Sequence, residues 1–137
     1  MRPDWDALVA AARAARDRAY APYSGYRVGA ALAAADGSIH AAGNVENGIP
    51  ALSTCAERLA VAAAVNAGHH DFAALAVVTE SSPPASPCGL CRQTLTEVVE
   101  PGSDLPIRIA NTAGEMQEIR LSELLPRPFR FRAESTQ

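Results

Sequence analysis

The 137-residue sequence contains no lysine, no long apolar run and only three cysteines. The lack of lysine leaves arginine as the sole strongly basic residue type; we take this as biased base composition and give it no functional weight. The net charge of -3 offers neither the basic excess nor the basic stripe that nucleic-acid binders carry, so no nucleic-acid partner is expected. No stretch reaches about eighteen consecutive apolar residues, so no membrane span is expected. The opening residues Met1-Arg2-Pro3-Asp4-Trp5-Asp6 are acidic and lack the apolar core of a signal peptide. An odd number of cysteines suits a disulfide framework poorly and a thiolate site well. Free thiols at such a site fit a reducing cytosol, which makes the expected location cytoplasmic. What remains is ordinary: 48% apolar and 20% charged residues, in a length that predicts one domain over 1–137 with a real core.

All three cysteines fall in two short segments, Thr54-Cys55-Ala56-Glu57-Arg58 and Pro87-Cys88-Gly89-Leu90-Cys91. Three thiols can hold one zinc ion and leave its fourth position open to water, which is the catalytic arrangement; structural zinc is usually closed by four protein ligands. Glu57, two residues after Cys55, stands where a carboxylate can move that water's protons. The pattern points to hydrolysis by a metal-activated water. A closed structural site in a binding module is the competing reading, and it needs a fourth ligand. His40, His69 and His70 are the candidates, with the last two just past a helix end. Three thiolates and one zinc ion sum to a negative centre, which makes a bound water less acidic. A nearby positive charge is therefore expected, and Arg58 and Arg92 are the candidates.

The periodicity of Trp5, Leu8, Val9, Ala12 and Ala15 predicts a helix over Asp4 to Tyr20. Ala21 to Gly25 reads as a turn. Strands are predicted at Val28 to Ala34 and Ser38 to Ala42 around the Asp36-Gly37 hairpin turn, although alanine is a poor strand former. Ser53 or Thr54 is the expected cap of a helix from Cys55 to about Asn66, closed by Gly68. Ala73 to Thr79 is a short apolar run expected as a central strand. A Ser/Pro-rich loop over Glu80 to Pro87 leads to a helix from Cys91 to Val99. Strands at Ile107 to Ala110 and Glu118 to Arg120, and a short helix from Leu121 to Leu125, complete the chain. Alternating strands and helices predict an α/β layered domain.

The two cysteine segments resemble the zinc nucleoside and nucleobase deaminases, whose signature is His- or Cys-x-Glu followed at a distance by Pro-Cys-x-x-Cys. With cysteine at the first ligand position, the chain is similar to the small, three-cysteine, homotetrameric type of cytidine deaminase, from about Tyr20 to Phe129. The resemblance implies a three-layer α/β/α sandwich with a mixed sheet of about five strands. It implies one zinc per chain on Cys55, Cys88 and Cys91, and deamination of cytidine or deoxycytidine in pyrimidine salvage. Glu57 is then the acid/base that serves the water, the ring N3 and the leaving amine, and Arg58 hydrogen-bonds to cysteine sulfur. Asn44 and Glu46 correspond to ribose-binding residues, and such groups both suit sugar hydroxyls and reject analogues lacking them. Tyr26 stands where the family usually has phenylalanine against base or sugar. The Ala56 N–H corresponds to a contact for the base O2, and Phe129 to a ring that stacks on the pyrimidine in a neighbouring subunit's pocket.

One stretch departs from the resemblance. Gly48-Ile49-Pro50-Ala51 replaces the family's usual Ala-Ser-Tyr-Gly, so Pro50 removes an aromatic hydroxyl and a backbone N–H together. The alternative expectation is therefore a deaminase of modified cytidines or cytosine-containing antibiotics, similar to blasticidin deaminase.

Overall fold

The structure is a computed structural model and describes residues 2–131. Asp4 caps the first helix by accepting the Ala7 N–H at 3.1 Å, as N-cap carboxylates do. This helix, α1, runs Trp5–Asp17, three residues short of the predicted end. Tyr20 instead leaves the helix to bridge with Val45. Strands β1 (Gly29–Ala34) and β2 (Ile39–Gly43) form the predicted hairpin, and helix α2 (Ala56–Asn66) follows. Gly68, at φ +96°, closes α2 in the left-handed conformation that favours glycine. Strand β3 (Phe72–Thr79), helix α3 (Gly89–Glu97), strands β4 (Pro106–Asn111) and β5 (Met116–Arg120), and the short helix α4 (Leu121–Leu124) complete the order. Helix α3 begins two residues earlier than predicted, which places Cys91 inside its first turn rather than at its start. A single 3-10 turn at Pro50–Leu52 was not predicted; Pro50 fits its first position, where no backbone donor is needed.

The five strands form one mixed sheet in the order β2-β1-β3-β4-β5. Only β3 and β4 run parallel, and α3 is the crossover that such a pair requires. Period-two alternation sends the two faces of each strand to different partners. Ala30, Leu32, Leu75, Val77, Ile107 and Ile109 face a core built with α2 and α3. Ala31, Ala74, Ala76, Val78 and Ala110 face α1. The layers are thus α/β/α. Alanine in these strands is a packing choice. A Cβ on Gly29 would lie 1.9 Å from the Ala12 carbonyl oxygen, and one on Gly43 would lie 2.6 Å from that of Ala15. The backbone of α1 rests directly on β1 and β2, so only small residues fit beneath it. On the other face, fully buried Leu32, Leu75 and Ile107 each contribute roughly 1.5–3 kcal/mol of burial.

Candidate metal centre and cavity

Helices α2 and α3 begin side by side, and each begins with a cysteine. Cys55 is the N-cap of α2 (φ -69°, ψ 151°) and Cys88 the N-cap of α3 (φ -71°, ψ 173°), with no side-chain cap hydrogen bond at either. This corrects the expected cap at Ser53 or Thr54. The Ser53 hydroxyl accepts the Asn47 N–H at 3.0 Å, and Thr54 turns back to the Leu52 carbonyl at 3.4 Å. Both cysteines thus stand at helix N-termini, where the helix dipole favours thiolate. Cys91, in the first turn of α3, brings the third sulfur.

The Cys55–Cys88 and Cys88–Cys91 sulfur distances are 3.7 and 3.5 Å, and all three sulfurs lie within 4.8 Å of one another. Among the described residues this is the one group of three or more His, Cys, Asp or Glu side chains so clustered. His40 and His69 lie instead at the β1–β2 hairpin, where the Ser38 hydroxyl meets their Nε2 atoms at 3.0 and 3.4 Å. Hydrogen bonds from the Cys91 and Cys88 thiols and from Arg58 lower the Cys55 thiol to about 5, against the opposing effect of burial. The Cys91 thiol is pushed up, first by its bond to Cys55 and then by burial and the Glu57 charge. A compact soft donor set with one thiolate already favoured fits a single zinc ion.

Glu57 is 5% exposed. Burial pushes its pKa up, and the Cys55 charge acts the same way; its own backbone N–H, the Cys91 thiol and the Arg58 charge only partly offset this. The two arginines differ. Arg58 lies against Cys55, donates Nη2 to the Ser53 carbonyl at 3.2 Å and keeps a buried Nε without a hydrogen-bond partner. Arg92 binds the Pro87 and Leu124 carbonyls at 2.7 and 2.9 Å and the Ser86 hydroxyl at 3.2 Å. It therefore fastens the second cysteine segment to α4, and its donors go to oxygen rather than sulfur.

A cavity of about 320 Å³ opens beside the sulfurs, lined by Cys55, Ala56, Glu57, Cys88, Tyr26, Asn44 and Glu46 among others. Asn44 and Glu46 also hold the segment before β1. Asn44 accepts the Val28 N–H at 2.9 Å and donates to the Tyr26 carbonyl at 3.0 Å. Glu46 accepts the Tyr23 and Ser24 N–H groups at 3.0 and 3.1 Å and the Ser24 hydroxyl. The Ser24 hydroxyl and amide, with the Tyr23 amide, hold its carboxyl below the usual range. Gly48, Ile49, Pro50 and Ala51 are exposed and do not line this cavity. Phe129 is 69% exposed and also lies outside it. Sequence reasoning placed none of Ser53, Thr79 and Ser86 in the site, yet all three line the cavity. Thr79 alone left a signal, as a hydroxyl ending an otherwise apolar strand.

The cytidine and deoxycytidylate deaminase zinc-binding region matches residues 3–101. A cytidine deaminase of Sporosarcina psychrophila is 42% identical over 126 residues, covering 92% of this chain and 91% of that protein. One from Halalkalibacterium halodurans is 43% identical, covering 92% and 94%. The crystal structure of cytidine deaminase from Burkholderia pseudomallei superposes with a TM-score of 0.84 at 43% identity, covering 90% of this chain and 98% of that one. A blasticidin-S deaminase of Bacillus cereus is more distant, 29% identical over 109 residues. The chain belongs to the cytidine and deoxycytidylate deaminase family.

Proposed function

We propose that this member of the family deaminates cytidine and deoxycytidine by hydrolysis, releasing ammonia and uridine or deoxyuridine. The observation that carries this reading is the cavity's charge. Its lining brings the Cys55 and Cys88 thiols and the Glu57 carboxyl together with Asn44 and Glu46, and no arginine or histidine among the described residues lines it. A phosphate there would meet two carboxylates without a counter-charge, whereas neutral ribose hydroxyls find both donors and acceptors. The family covers nucleosides and nucleotides; this cavity favours the nucleoside.

Cys55, Cys88 and Cys91 would hold the zinc ion, which when bound acidifies a water molecule. Glu57 takes a proton as water attacks C4 of the cytosine ring. It delivers that proton to N3, then takes the second proton from the new C4 hydroxyl and gives it to the amine, which leaves as ammonia as the C4 carbonyl forms. A carboxyl raised by burial suits both halves of this task. The Arg58 charge stabilises the Cys55 sulfur and tempers the negative centre. The Ala56 N–H, at the start of α2, is assigned to the base O2, and Asn44 and Glu46 to the sugar.

The proposal extends to a homotetramer in which Phe129 enters a neighbour's cavity. Its exposure supports this, as does the bond from Gln93 to the Phe129 carbonyl at 2.8 Å, which fixes its backbone. Free thiols fit a cytoplasmic salvage role. Among the described residues no helix is long and apolar enough to cross a membrane.

The test is ammonia release from cytidine, deoxycytidine, cytidine monophosphate, cytosine, adenosine and substituted cytidines, with zinc content measured on the same sample. Fast turnover of the two unmodified nucleosides with about one zinc per chain is expected. Preference for the monophosphate, or activity confined to a substituted base, overturns the assignment. An active monomer by light scattering overturns the tetramer alone.

A further inference from the structure

The hydroxyl oxygens of Tyr26 and Ser81 lie 2.5 Å apart. Tyr26 lines the cavity. Ser81 belongs to the loop that leaves β3 and ends at Cys88. All three polar groups of Ser81 are engaged. Its N–H donates to the Thr79 hydroxyl at 3.2 Å and its carbonyl accepts Asn111 Nδ2 at 3.0 Å, while its own hydroxyl pairs with Tyr26. Thr79 and Asn111 are buried, and Asn111 is itself fixed by the Ala113 and Glu115 N–H groups at 3.0 and 2.9 Å. Ser81 is thus an anchored point, and buried polar networks satisfied in this way are rigid.

Tyr26 is fixed at its other end by the sugar-side residues. Its N–H donates to the Ser24 hydroxyl at 2.9 Å, and that hydroxyl bonds Glu46. Its carbonyl accepts from Asn44 at 3.0 Å. The ring therefore stands between two anchors, one on the Asn44–Glu46 side and one on the Cys88 side. Phenylalanine, which the resemblance leads one to expect here, would have only the first.

We propose that Ser81 is a positioning residue for the substrate cavity. Its hydroxyl holds the Tyr26 ring in the cavity wall and ties the segment before β1 to the loop that delivers Cys88. Substrate meets a wall already in place, which lowers the ordering required on binding. This rests on the proposed deaminase reading, since the cavity is taken as the nucleoside site.

The test compares Tyr26→Phe, Ser81→Ala, the double variant and Ser81→Thr. Each single loss raises the cytidine KM about fivefold, the worth of one ordinary hydrogen bond, with kcat changed less than twofold and zinc content unchanged. The double variant is no worse than either single one, because a shared bond can be lost only once. Ser81→Thr keeps the hydroxyl and restores KM. Additive losses, an equal fall in kcat and kcat/KM, or an unchanged KM in both single variants overturns the proposal. Amide exchange over Ser81 to Cys88 is a readout independent of turnover. Tyr26→Phe and Ser81→Ala speed it and Ser81→Thr does not; unchanged exchange also overturns the clamp. An inactive wild type sinks the deaminase reading, and the clamp is then judged on exchange alone.

Discussion

The helices that reach the sulfur cluster start alike and then diverge. Each has a cysteine as N-cap, and each has an arginine within four residues of it. Two positions past the cap, however, α2 has Glu57 at 5% exposure and α3 has Leu90 at 65%. The cause is what lies beneath. Helix α2 rests on β1 and β2, with Ala60, Val61 and Ala64 in the core, so its first turn is roofed over. Helix α3 packs mainly against α2 and α4 and buries its third position, Cys91, instead. One local design thus buries a carboxyl on one helix and a thiol on the other. The arginines divide in the same way, Arg58 toward sulfur and Arg92 toward backbone carbonyls.

The largest way to break this comparison is to remove the inward residue of α3. Cys91→Ala is expected to leave no stoichiometric zinc by metal analysis, and with it no measurable ammonia release. Chelation of the wild type should do the same, reversibly on adding zinc. The matching change in α2, Glu57→Gln, should separate metal from chemistry. Zinc stays near one per chain while kcat falls about 10²–10⁴-fold; substantial residual turnover would take the acid/base role away from Glu57.

The arginine pair gives a finer contrast. In metal-free protein the Cys91 and Cys88 thiols and Arg58 hold the Cys55 thiol well below the ordinary cysteine range, so its thiolate persists to lower pH than a free thiol's. Arg58→Ala removes a bond and a charge that favour the thiolate, so the titration should move upward and alkylation of Cys55 at pH 6 should slow. Arg92→Ala should leave that titration in place and lower stability by about 1–3 kcal/mol, from unpaired carbonyls. Equal titration shifts in both variants would erase the distinction. The smallest expected effect is none: His40→Ala and His69→Ala should keep one zinc per chain, and a loss of metal would revive a four-ligand site.

Much of this could be read from residue order. Strand β3 was legible as a short apolar run because the sheet is covered on both faces, and the stripe of α1 because burial follows the helix period. The sulfur set was legible because three cysteines leave few ways to build a metal site. The caps were not, since Ser53 and Thr54 have the right chemistry and only their neighbours Asn47 and Leu52 divert them. The 3-10 turn at Pro50–Leu52 was not, because three residues carry no periodic signal. The Tyr26–Ser81 pair was not, because the two hydroxyls lie 55 positions apart and no pattern marks Ser81.

By itself, then, the sequence determined which atoms are available: three thiols, a carboxyl two residues after the first, and apolar periods that specify a sheet between helices. Those are local facts, set by spacing and side-chain chemistry. Only the tertiary structure decided how deep each atom sits and what faces it. It buried Glu57 and left Leu90 exposed, turned Arg58 to sulfur and Arg92 to backbone, and set the Gly48–Ala51 stretch outside this chain's cavity. The reason is physical. Desolvation and hydrogen-bond partnership depend on which layer covers a helix turn, and the layer is built from residues distant in the chain.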